Sequence, residues 1–271
     1  MTQTNRLFSV KLDDREDQLN WSDLVSLRRL ELNHVNPDEI KSILSSLPSV
    51  TKSLLLNSLV IKYSQECAGE LNLACHLFVA LPSLVNCVFD FAHFMDFGIT
   101  TRTMTHLQRL TIICHMKNLF QLVPITPAIK YLNAKLYNLE PVSLTYDTAS
   151  NTVTKWSSLT CLSLNMMVGV PLELMFSLLN LTPAVVQFRL FGATSDLNYL
   201  DGKLWENVFT TNTLCLRHLT LGIDVVNVKP EQQFNEEQML LKYQTEVYRE
   251  RKFLAVFAIK GGEIQLRGFT N

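Results

Sequence analysis

The sequence predicts an α/β solenoid, a horseshoe with parallel strands on its concave face and helices on its convex face. Three observations lead there. A short apolar spacing, L-x-x-L-x-L, returns along the chain. Several copies are introduced by similar tetrapeptides, and helical stretches fall between copies. One strand plus one helix cannot bury its own apolar side, whereas stacked neighbours supply a continuous core.

The spacing is cleanest at Leu27, Leu30 and Leu32. It recurs at Leu84-Cys87-Phe89, Leu107-Leu110-Ile112, Ile129-Leu132-Ala134, Leu159-Leu162-Leu164, Val185-Phe188-Leu190 and Leu216-Leu219-Leu221. A looser copy is read from Thr51, in "TKSLLLNSL", with one residue inserted after Val50. The eight starts then span 189 residues in seven steps, an average of 27, which leaves room for true helices. The lead-ins "LPSV" and "LPSL" precede two copies, "TPAI" and "TPAV" two more.

The intervening helices carry start signals. "NPDEIKSILSSL" offers Asn36 as N-cap, Pro37 at the first helical position and acids in the first turn, with Ile40, Ile43, Leu44 and Leu47 on one face. "PLELMFSLLNL" from Pro171 has the same form, and "DGKLWENVF" is a shorter helix capped by Asp201. Before the repeats, residues 1–23 form an N-terminal cap segment with a strand from Leu7 to Leu12. The repeats occupy 24–224. Residues 225–271 are expected to form a C-terminal cap, a helix from near Asn235 and then two strands around Gly261-Gly262; the alternative is a separate docking element with Phe253, Phe257, Ile264 and Leu266 as its apolar side.

These copies resemble the leucine-rich-repeat family, in its ribonuclease-inhibitor-like branch. The LPxL lead-ins, the "SILSSLP" helix and "YLDGKLWENVF" further resemble the repeat region of intracellular F-box/leucine-rich-repeat-like proteins. That resemblance implies a substrate-recognition part of a ubiquitin-ligase system. The F-box itself is not found: "MTQTNRLFSVKLDDREDQLNW" is too short for that three-helix module and lacks its LP-led start. The family also places Asn or Cys eight residues after the first Leu, to satisfy turn backbone groups. Here those places hold Val35, Ala92, His115, Met167, Ala193 and Asp224, which predicts irregular turns.

Whole-chain charge is −1, so nothing global favours nucleic acid or a membrane. The outward positions of the copies are different. Arg28, Arg29, Lys52, Arg109, Lys130, Lys135, Arg189 and Arg217 fall there, against Glu31 and Asp90. Tyr131 and Phe191 sit among them as aromatic anchors. This predicts a concave surface for an acidic or phosphorylated protein partner. Solvated strand faces also carry Lys and Arg merely to discourage edge pairing, and that plainer reading stands beside it.

Other chemistry is not indicated. The six cysteines form no CxxC, and Cys75-His76 and Cys114-His115 are adjacent pairs whose side chains diverge on a strand, so no metal site is expected. No GxGxxG, GxxxxGK[ST] or GxSxG occurs, so no cofactor is expected. No stretch is long enough to cross a bilayer, and Met1–Val10 lacks the apolar run of a signal peptide. The expectation is a monomeric, non-enzymatic interaction scaffold, cytoplasmic or nuclear. An inhibitor that masks an enzyme surface is the alternative, and an enzyme with an unrecognised Cys–His site the remote one.

Overall fold

Strand after strand is reached through one tight turn. The first apolar residue of a copy donates its amide to the carbonyl three residues earlier: Leu84 to Leu81, Leu107 to Met104, Ile129 to Thr126, Leu159 to Trp156, Val185 to Thr182 and Leu216 to Thr213, at 3.0–3.4 Å. Each turn begins on a buried residue. This explains the lead-ins "TPAI" and "TPAV", in which proline takes the second turn position, where its fixed φ fits. A second signature follows, in which one carbonyl accepts two successive amides of the next strand. Arg28, Asn57 and Val85 do so, and again Lys130, Thr160 and Val186.

In this computed structural model the described residues are 9–13, 27–34, 42–43, 56–63, 81, 83–91, 103–137, 154–167, 169–227, 234–260 and 263–270. The chain is α/β with mostly parallel strands and few helices. It divides into two units: Met1–Cys114 with Pro124–Ile129, and His115–Val123 with Lys130–Asn271. Helix α1 (Met116–Ile125) is shared between them.

The first unit holds β1 (Ser9–Asp13), β2 (Arg29–Asn33), β3 (Ser58–Tyr63), β4 (Asn86–Phe91) and β5 (Arg109–His115, up to Cys114). They pair in parallel, in chain order. One ladder row is Leu30, Leu59, Cys87 and Leu110; the next is Leu32, Ile61 and Phe89. All are buried, because alternate strand residues face one side. The second copy begins at Leu56, not Thr51: Leu56, Leu59 and Ile61 carry the spacing and are fully buried. The expected copy failed because "SLLL" also satisfies a loose leucine pattern, while register is decided by pairing with Leu30 and Leu32. The steps on either side of it become 29 and 28 residues, more even than expected. The helix predicted from Asn36 and the turn at Val35 lie outside the described residues, apart from Ser42 and Ile43.

The second unit holds β6 (Tyr131–Tyr137), β7 (Cys161–Met166), β8 (Gln187–Thr194) and β9 (His218–Val225), again parallel and in order. Its inward rows are Leu132, Leu162, Phe188, Leu219 and Ala134, Leu164, Leu190, Leu221. Helix α2 (Leu172–Asn180) buries Leu172, Leu174, Met175, Leu178 and Leu179. Helix α3 (Gly202–Thr211) follows a 3-10 turn at Leu197–Leu200 and is capped by Asp201, whose carboxylate accepts from Lys203 N at 2.9 Å. Trp205 anchors this layer. Its ring meets those of Phe176 at 5.2 Å, Phe209 at 5.7 Å, Tyr199 at 6.1 Å and Phe188 at 6.3 Å, and its indole N–H donates to Tyr199 O.

The C-terminal segment closes this unit. Helices α4 (Glu236–Leu241, capped by Asn235) and α5 (Glu246–Glu250) lead into the antiparallel hairpin β10 (Phe253–Lys260) and β11 (Glu263–Thr270). Strand β11 joins β9 antiparallel, so β10 is the outer strand. Phe253, Phe257, Ile264 and Leu266 are buried. Tyr243 and Tyr248 pack on Phe253. The Lys242 ammonium meets Asp201 at 2.6 Å, and the Tyr248 hydroxyl donates to Gly202 O, which ties the segment to the start of α3.

Candidate protein-binding face

Strand geometry decides which side chains share a surface. In the first unit Arg28 and Arg29 are exposed, and Arg109 starts β5 in the same ladder row as Arg29. Arg29 does not stand alone. Its guanidinium meets Glu31 at 3.1 Å, and the Lys62 ammonium meets the other carboxylate oxygen at 3.4 Å. Burial acts to raise the Glu31 pKa, but hydrogen bonds from Arg29 and Lys62 outweigh it and hold the carboxyl below its ordinary value. Lys52 lies outside the described residues. The corrected start of the second copy supplies Lys62 on this face, which the leucine pattern had hidden.

The second unit carries the remaining predicted residues: Lys130, Tyr131, Lys135, Arg189, Phe191 and Arg217, all exposed. Lys130 and Arg217 immediately precede β6 and β9; pairing lays the strand residues out in rows. The lowest is Tyr131, Cys161, Gln187 and His218. Above it run Asn133, Ser163, Arg189 and Thr220, which β11 and β10 extend with Phe269 and Leu254. The third row is Lys135, Asn165, Phe191 and Gly222, extended by Arg267 and Val256. Neighbouring strands are about 4.8 Å apart and alternate residues about 6.8 Å along a strand. Arg189 and Phe191 are therefore adjacent, while Tyr131 stands two strands away.

The sequence reading missed Phe269, Leu254, Val256 and Arg267, because it treated the hairpin as a cap and assigned no outward side. The alternation in "FLAVFAIK" and "EIQLRGF" was the available signal. Five of the ten exposed large apolar side chains among the described residues, Tyr131, Phe191, Leu254, Val256 and Phe269, lie on outward strand positions of this unit, and Met167 follows the end of β7.

The charges on this face are unequal. Two carboxylates occur at its outward strand positions among the described residues, Asp224 and Glu263. Asp224 is engaged by Arg267 at 2.6 Å. Lys130, Arg189 and Arg217 form no ion pair among the described residues.

Burial pushes the thiol pKa of Cys87 and Cys114 far up, and Cys161 is pushed up by burial against the opposing charge of Arg189. Among the described residues no group of three His, Cys, Asp or Glu side chains is placed to hold a metal ion. Among them, too, no helix is long and apolar enough to cross a membrane.

No family model matches this chain. No curated protein matches it significantly either.

Proposed function

We propose that this chain is a non-enzymatic scaffold of the leucine-rich-repeat type, which holds an acidic segment of a protein partner on the outward strand face of its second unit. The observation that carries this reading is Arg189 on that face, with Lys130 and Arg217 exposed just before β6 and β9, none of the three ion-paired among the described residues, together with the exposed rings of Tyr131 and Phe191. An exposed apolar surface with nearby cations that lack carboxylate partners among the described residues suits a partner that brings both carboxylates or phosphates and bulky side chains. In the first unit, by contrast, Arg29 and Lys62 already share Glu31.

The test is comparative capture from cell extract with the intact chain and with K130E/R189E/R217E. The reading requires partners that bind the intact chain, weaken with added salt, and are lost from the triple variant while R28E retains them. An unchanged partner set in the triple variant overturns it. A ubiquitin-ligase adaptor among the captured proteins would support the role implied by the F-box-like resemblance.

A further inference from the structure

We propose that Arg189 and Phe191 form a subsite for a phosphorylated aromatic side chain, a phosphotyrosine in an extended segment, with Gln187 as the residue that positions Arg189. This rests on the reading of the same face as the seat of an acidic partner.

Gln187 stands two residues before Arg189 on the outward side of β8. Its amide oxygen, in the orientation that avoids setting donor against donor, accepts from Arg189 Nη2 at 2.8 Å and Nε at 3.0 Å. That contact holds one edge of the guanidinium. The Nη1–Nη2 end stays free to donate to two oxygens of one anion, the geometry that arginine offers phosphate. Arg189 is exposed and has no carboxylate partner among the described residues.

Phe191 supplies the second half. Its ring lies on Gly222 of the next strand: a Cβ there would come 2.6 Å from Cδ1 and 3.0 Å from Cε1. One side of the ring is covered, and at 41% exposure the rest faces solvent. Arg189 and Phe191 point the same way about 6.8 Å apart. A phosphorylated phenol spans that step, with its phosphate on Arg189 and its ring on Phe191. An Asp or Glu side chain reaches the arginine only. Arg217 is exposed just before the adjacent strand β9, and its amide donates to Val186 O at 2.8 Å.

The experiment titrates phenyl phosphate, inorganic phosphate, benzoate and an eight-residue oligothymidylate into the ¹⁵N-labelled full chain. The expected result is a saturable shift of the Arg189 Nε–H signal by phenyl phosphate with a Kd on the order of 1 mM. Inorganic phosphate binds about fivefold more weakly, and Phe191→Ala abolishes that difference. Gln187→Leu moves the Arg189 Nε–H signal in the free protein and weakens phenyl phosphate, while the backbone spectrum stays dispersed. No saturable shift at Arg189, equal binding of the two phosphates, or tighter binding of the oligonucleotide at these residues overturns the proposal. Phosphatase treatment of a captured partner separates the two readings. Capture that survives it but is lost on charge reversal removes the phosphate and keeps the acidic partner. Capture that ignores charge reversal removes the acidic partner itself.

Discussion

The ring of Phe191 rests on Gly222 of the neighbouring strand, at a spot that has no room for a Cβ. A side chain offered to a partner is thus positioned by a missing one. Gly222→Ala is expected to tilt the ring away and to cost about 1–3 kcal/mol in urea unfolding, the usual cost of overpacking. Phe191→Ala/Gly222→Ala should recover most of that loss, since the clash is between these two groups. A double variant no more stable than Gly222→Ala would show that the glycine serves something else.

Trp205 is fully buried among four other rings and donates its N–H to Tyr199 O. Trp205→Ala should destabilise the second unit by about 3–5 kcal/mol, the range for emptying a large core site. Denaturant unfolding followed by circular dichroism measures this. A loss below about 1 kcal/mol would mean that the α3 layer closes over the cavity.

Glu31 titrates below its ordinary 4.5 because Arg29 and Lys62 hold its anion. A carboxyl with a depressed folded pKa contributes its full stability above the unfolded value and loses it as pH falls through the folded one. Acid unfolding should therefore draw on this cluster below about pH 4.5. Glu31→Gln should flatten stability against pH in that window and leave its shape near pH 7 unchanged. Identical acid limbs in the two proteins would contradict the ion pairs.

Strand β10 is the outer strand of its sheet, and Leu254, Val256 and Ile259 on it are more than half exposed. Its residues from Phe253 to Ile259 include no charge and no proline, the devices that usually blunt such an edge. Val256→Lys should slow concentration-dependent aggregation on mild heating, read by light scattering, without lowering the unfolding free energy by more than about 0.5 kcal/mol. Faster aggregation in the variant would place the sticky surface elsewhere.

The sequence by itself determined the repeated element. Leucines at fixed spacing, proline in the turns that lead to the strands, and Asp201 and Asn235 as caps act within a few residues of themselves, so their consequences can be read locally. Alternation along a strand is a property of the backbone, so Arg29, Tyr131, Arg189 and Phe191 could be assigned outward from the pattern, whereas Arg28, Lys130 and Arg217 fall just before their strands. Register was different. Two overlapping leucine patterns at 51–61 compete equally until Leu59 and Ile61 meet Leu30 and Leu32, and only that pairing put Lys62 beside Glu31. The face in the second unit was also decided in three dimensions. Gln187 holds Arg189 within one strand, but Phe191 lies on Gly222, and Phe269, Leu254 and Val256 extend the face through a hairpin that returns antiparallel to β9. Such contacts join residues tens of positions apart, and their energy exists only once the backbone has brought the strands to within about 5 Å.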